Sequence, residues 1–292
     1  MPIPNPRYAL AMGSSYMGFY AHAGFLAGLE ANGIVPGHLA GASSGGVIAG
    51  LAASGLGTDE IEAVLMDPWF PKYFLEWTIL LRGWGVLLNL PGFGGPVGGA
   101  KLEKRLKKVL GCERIEDCPR SLHVAVTNLT EERAEMLTEG ELSKFLVATC
   151  AMPFVFRPQE IGGSNYWDGG ITHDLPIGQW AETDEVETVI CHQICWPGEK
   201  EALSGKLTIA DAFSLSHRTI CRDGGKLRHE MLEAAGKSVV QVRSLTPAPK
   251  VVLPVNRRRE IYRAGFESGV ETAEGLLANS KTEAVSQRTP DC

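Results

Sequence analysis

The chain has 292 residues, 44% hydrophobic and 21% charged, with a formal net charge of −6. This is the balance of a globular protein with ample material for a core, and it lacks the basic excess of a nucleic-acid binder. Seven cysteines, odd in number and without paired metal spacing, fit free thiols in a reducing, cytoplasmic compartment.

The start, MPIPNPRYAL, is Pro-rich and lacks the long apolar run and small-residue cleavage site of a secretory signal. Tyr8–Met12 is a short apolar run that enters a Gly/Ser turn, and a helix is predicted from about Tyr20 to Ala31, stopped by Gly33. Val35–Ala40 leads into a second turn, after which GGVIAGLAASGL (45–56) reads as a helix of small residues suited to close packing. From about Asp67 to Gly99 the rhythm breaks, and 67–99 reads as an insertion. Its most apolar run, WTILLRGWGVLL, is interrupted by Arg82 and too short to span a membrane. Further helices are predicted at 100–110, 141–151, 208–235 and 256–278, and strands at about 122–129, 186–194 and 238–244; Cys191 and Cys195 are placed in a strand, as buried free thiols. Strands alternating with helices predict an α/β sheet covered on both faces. One domain is expected over 1–278, with a polar, disordered tail at 279–292.

Gly41-Ala42-Ser43-Ser44-Gly45 matches G-x-S-x-G, the nucleophile elbow. A sharp strand-to-helix turn strains the serine and crowds the residues two before and two after it, so both must be nearly free of side chain. Ser43 has glycine at both places; Ser44 would have Ala42 and Gly46, a poorer fit. The turn also puts the serine at a helix N-terminus, where unpaired N–H groups favour an oxyanion. Taken alone, so short a pattern can also mark a plain βα turn. Upstream, Gly13-Ser14-Ser15-Tyr16-Met17-Gly18 lacks both the Lys-Ser/Thr of a Walker loop and the middle glycine of a dinucleotide loop. Beside the elbow it suits an oxyanion hole. Downstream, Asp168 follows Tyr166-Trp167 and precedes Gly169-Gly170, a setting for an aspartate held at a strand end or for an ordinary turn aspartate.

These segments, in this order and spacing, resemble the patatin-like phospholipase family. The likeness covers roughly 8–55, with the loop, first helix and elbow, and 146–178, where Ala-Met-Pro-Phe-Val-Phe precedes the Asp-Gly-Gly block. The resemblance implies a patatin-like three-layer α/β fold with a central, mostly parallel sheet. It implies Ser43 as nucleophile and Asp168 as base of a dyad that cleaves acyl esters of lipids through an acyl-enzyme, with neither metal nor organic cofactor. The amides of Gly13, Ser14, Ser15 and Ser44 become the candidate oxyanion donors. The family's loop usually reads G-G-G-x-R-G; here Ser14, Ser15 and Tyr16 fall on the glycines and Gly18 on the arginine, so the loop departs from pattern and loses a charge.

His173, His192, His217 and His229 lie downstream and leave open a Ser-Asp-His triad esterase; His22 matches a frequent family histidine near the loop. A non-catalytic lipid-binding relative is the other alternative. Trp69, Phe70, Tyr73, Phe74, Trp77 and Trp84 crowd the insertion, with three of the chain's six tryptophans. Such a cluster suits a lid, an acyl pocket or a membrane-facing surface. KLEKRLKKVLG (101–111) has one apolar face, Leu102, Leu106, Val109 and Leu110, beside four lysines and an arginine. It reads first as a scaffold helix and second as a patch for anionic headgroups. The expected partner is a lipid or acyl-ester substrate, with peripheral membrane contact and no nucleic acid; oligomeric state is not legible.

Overall fold

The computed structural model describes residues 3–74, 76, 82, 84–85, 88, 90, 94–197, 209–248, 250 and 253–286. Its strands are β1 (Asn5–Met12), β2 (Pro36–Gly41), β3 (Ser121–Asn128), β4 (Arg133–Leu137), β5 (Gln159–Ile161), β6 (Ser164–Asp168), β7 (Thr188–Cys195) and β8 (Ser238–Leu245). All eight share one sheet. β3, β2, β1, β7 and β8 are each parallel to their neighbours, while β4, β5 and β6 add antiparallel pairings at the β3 end. The helices are α1 (Phe19–Ala31), α2 (Ser44–Ala53), α3 (Thr58–Met66), α4 (Ala100–Val109), α5 (Leu142–Thr149), α6 (Ile209–Ala234) and α7 (Val255–Ser286).

Side chains on a strand alternate between faces, and here the alternation assigns the layers. Leu10, Met12, Leu39, Val124 and Ile190 point into the larger core, packed by α1 to α5 and α7. Ala9, Ala11, Ala40, Val189 and Cys191 point the other way, under Trp180 and Leu232 of α6. Alanines on that face leave the volume that the fully buried Trp180 occupies. The expected mostly parallel sheet with helices on both faces is therefore the observed one.

α1 and α7 cross at unusually short range. A Cβ at Gly24 would lie 2.0 Å from the Tyr262 carbonyl oxygen, and one at Gly265 would lie 2.1 Å from that of Ala21. α7 runs on through Ser286, so the expected tail is helical up to that residue.

The aromatic insertion divides. Phe70–Phe74 forms a 3₁₀ turn whose Phe70 is buried, its ring 5.4 Å from Phe19 and 6.3 Å from Tyr20, and Phe74 also packs on Phe19 at 5.2 Å. This part is core, because α1 offers an aromatic face for it to cover. Trp69 and Trp84 are instead 60% and 68% exposed; Trp77 lies outside the described residues. Further along, the Glu76 carboxylate accepts from Gly98 and Gly99 N–H at 2.9 and 3.0 Å, placing negative charge at the start of α4, where the helix dipole favours it. α4 is a packed helix: Leu102 and Leu106 are buried, Arg105 pairs with Asp67, and Lys107 pairs with Glu103 and Glu141.

Candidate active site

Ser43 stands between β2 and α2 with φ 54° and ψ −124°. A non-glycine residue there carries on the order of 1–3 kcal/mol of strain, which the surrounding contacts must hold. The flanking glycines are a steric necessity: a Cβ on Gly41 would lie 2.4 Å from the Gly45 backbone, and one on Gly45 would lie 2.2 Å from the Met12 carbonyl oxygen. Ser44 is buried and its hydroxyl donates to the Ser15 carbonyl at 2.7 Å. Of the two serines, Ser43 is the one with partial access to solvent.

Register brings Asp168 to the same place. Val124 of β3 pairs with Gly41 on one side and Leu137 on the other; Val126 pairs with Asp168 and Glu135. β4 thus lines one edge of β3, and β2 and β6 divide the other. β2 runs parallel to β3 and β6 antiparallel, so their C-terminal ends meet across a single β3 residue, Ala125. The elbow leaves one strand end and Asp168 closes the other.

Asp168 is buried; its carboxylate accepts from Gly170 N–H at 2.8 Å, and its main-chain carbonyl accepts from the Thr127 hydroxyl at 2.9 Å. Burial raises its pKa to about 7, opposed by the Gly170 N–H and then by the neighbouring Ser43 hydroxyl, and reinforced by Asp174. The Cys150 thiol lies near both; burial first, then the Asp168 charge, pushes that thiol well up. Nucleophile and base candidate are therefore neighbours, the serine partly open to solvent and the carboxylate buried.

The loop after β1 lies beside them, but its first two amides are taken. Gly13 N–H donates to the His192 carbonyl at 3.0 Å and Ser14 N–H to the Asp174 carbonyl at 2.7 Å. The Ser15 and Ser44 amides take no such partner among the described residues. A hole drawn from all four expected amides would require the first two bonds to break.

No histidine ring bonds to Ser43 or Asp168 among the described residues. His22 and His192 are buried under the loop, Nδ1 to Nδ1 at 2.8 Å, with Phe25 stacked on His192 and the Ser244 hydroxyl on its Nε2. Burial lowers the His22 pKa to about 3 and holds His192 well below its usual range, with His22 adding to the latter. His173 is lowered to about 4 by burial and then Arg228. His217 bonds to the Ile171 carbonyl, and His229 to Glu233 and Gln241. Nor do three His, Cys, Asp or Glu side chains gather as metal ligands among the described residues.

A family model described as patatin-like phospholipase matches residues 10–180. The chain belongs to the patatin-like phospholipase family. Relatives agree: it is 30% identical over 176 residues to an uncharacterized NTE family protein of Mycobacterium tuberculosis, covering 59% of this chain and 45% of that one. It is 24% identical over 176 residues to the lysophospholipase NTE1 of Debaryomyces hansenii, covering 60% of this chain and 11% of that one. The chain thus spans less than half the length of these relatives. In fold it is similar to VipD from Legionella pneumophila, with a TM-score of 0.50 at 14% identity, covering 94% of this chain and 68% of that one.

The matched segment of this patatin-like chain includes the β1 loop, the elbow and Asp168. It also includes two residues that the sequence reading passed over, Thr149 and Cys150, which touch the elbow from the end of α5. Their only sequence signal is a polar pair closing an apolar helix eighteen residues before the aspartate.

Proposed function

We propose that this patatin-like chain is a lipid acyl hydrolase that works through a Ser43–Asp168 dyad. The observation that carries the reading is the register that brings the elbow at the end of β2 and Asp168 at the end of β6 together across Ala125, with the carboxylate buried and its pKa raised to about 7. An ordinary carboxylate is too weak a base to take a hydroxyl proton; one raised toward neutrality is better matched. Ser43 Oγ attacks the ester carbonyl as its proton passes to Asp168. The N-terminus of α2 and the free amides of Ser15 and Ser44 stabilise the oxyanion. Asp168 returns the proton to the leaving alcohol, and water, deprotonated by the same carboxylate, releases the fatty acid.

Acyl lipids are the substrate class we infer, because the two segments next to the dyad, the β1 loop and the chain after Cys150, carry exposed apolar side chains. Tyr16 of the loop, and Met152 and Phe154 just after Cys150, are 43%, 37% and 70% exposed. The name of the Debaryomyces relative points the same way, toward lysophospholipids. The test is a panel of short esters, lysophospholipids and phospholipids on wild type and Ser43→Ala, with fluorophosphonate labelling mapped by peptide. Label on Ser43 and loss of turnover in Ser43→Ala are expected. Label on Ser44, or turnover surviving in Ser43→Ala, ends the reading. A single His→Ala change that folds and is as inactive as Asp168→Asn favours a triad.

A further inference from the structure

We propose that Thr149 is a positioning residue that sets the spacing between Ser43 and Asp168, an inference that rests on the dyad reading above. Thr149 is the last residue of α5 and is fully buried. Ser43 N–H donates to its Oγ1 at 3.0 Å, and that hydroxyl donates in turn to the Ala125 carbonyl at 2.6 Å. The roles are forced, since a hydroxyl with one proton that accepts from an amide gives that proton to the carbonyl. The strained amide of the nucleophile is therefore tied to the one β3 residue that separates the ends of β2 and β6.

The same two anchors hold the base. Two residues after Thr149, the Ala151 carbonyl accepts from Asp168 N–H at 3.0 Å. A Cβ at Gly169 would lie 2.1 Å from the Ala125 carbonyl oxygen, so the turn after Asp168 packs directly on the group that Thr149 grips. Residues 149–151 form a bracket, with the nucleophile's amide on one arm and the base's amide on the other. Gly46 completes the fit, because a Cβ there would lie 2.9 Å from the Thr149 methyl. Only the Ser43 arm depends on a side chain. Losing it leaves a strained serine free to relax away from Asp168, and a shift of that kind costs turnover rather than substrate binding.

The experiment compares Thr149→Ala with Thr149→Ser on a soluble ester. The alanine removes the hydroxyl without driving a methyl against the Ala125 carbonyl; the serine restores it. Thr149→Ala is expected to lower kcat, and the rate of fluorophosphonate labelling at Ser43, by roughly ten- to a hundredfold with KM little changed. Thr149→Ser should recover most of both. The Ser43 amide proton should exchange slowly in wild type and Thr149→Ser and quickly in Thr149→Ala, a readout independent of any substrate. Full turnover in a folded Thr149→Ala, unchanged Ser43 exchange, or a serine variant as poor as the alanine would each overturn the proposal. If wild type itself neither turns over esters nor takes the label, the dyad reading fails while the exchange measurement still tests the tether. Should the alanine variant not fold, Thr149→Cys keeps the volume and weakens both bonds, and wild-type turnover in it is equally fatal.

Discussion

The Ser44 hydroxyl donates to the Ser15 carbonyl across 2.7 Å and so ties the first turn of α2 to the loop after β1. The bond joins the two segments that carry the two free amides of the site, and it occupies the Ser15 carbonyl, which also accepts from Gly18 N–H at 3.3 Å. Ser44→Ala should accordingly keep Ser43 as the labelled nucleophile but slow acylation by about five- to tenfold, the scale of one net hydrogen bond. Ser43→Ala should cost several orders of magnitude. Labelling kinetics of the two variants check this, and equal rates for Ser44→Ala and wild type would show that the loop holds its shape without the bond.

Asp168 makes activity and stability run in opposite directions with pH. A general base must be ionised, so kcat/KM should fall about tenfold per pH unit below roughly pH 7 and level off above it. In the unfolded chain an aspartate titrates near 3.9 or so, whereas the folded one titrates at about 7. Between these values the native state keeps a proton that the unfolded state has lost. The protonated carboxyl thus favours the fold at low pH, and that contribution disappears as pH rises through the folded pKa. Asp168→Asn should be inactive yet melt above wild type at pH 8, with the difference vanishing near pH 4. A melting difference that ignores pH, or of the opposite sign, would contradict a desolvated carboxylate.

The crossing of α1 and α7 gives a paired test inside one helix. Gly265→Ala puts a methyl about where the Ala21 carbonyl oxygen now sits, 2.1 Å away, so the helices must part, at a cost of roughly 1–3 kcal/mol or more. Gly275, in the same helix, has nothing within 4 Å of its added Cβ. Gly275→Ala should stabilise by about 0.5–1 kcal/mol through helix propensity alone. Denaturant titration of both variants decides it; a neutral Gly265→Ala would mean that the crossing is looser than its geometry.

What was legible in the sequence is what local sterics or period write there. The elbow glycines at 41 and 45 record a crowded turn, and the succession of strands and helices along the chain records two covered faces. Asp168 stood out because two glycines follow it, the second donating its N–H to the carboxylate. Contacts made across the fold leave no such mark. Nothing near Gly24 announces Gly265, and nothing near Thr149 announces Ser43. The Gly13 and Ser14 amides looked available because their acceptors, the His192 and Asp174 carbonyls, arrive from far along the chain. Composition likewise could not divide the aromatic insertion: Phe70 and Phe74 turn toward Phe19, whereas their neighbour Trp69 faces outward.

If the insertion meets lipid, that division assigns the contact, among the described residues, to the outward Trp69 and Trp84. Trp69 carries the Lys72 ammonium 3.9 Å above its ring, and Trp84 shares its exposure with Leu88 and Leu90. An exposed indole gains by lying at a lipid headgroup boundary, with the ring among chain ends and the N–H in water. Replacing Trp69 and Trp84 with serine should leave the melting temperature and the hydrolysis of a soluble short ester unchanged, because neither ring fills the core. Hydrolysis of lipid vesicles should fall severely. The salt dependence of the wild-type vesicle assay should be slight, since Arg105 and Lys107 of α4 are already occupied by Asp67, Glu103 and Glu141. Steep salt dependence would return the leading role to the lysines, and equal losses on both substrates with a lowered melting point would mean that the tryptophans support the fold. Unchanged vesicle hydrolysis in a stable double variant would remove this surface from any role at the membrane.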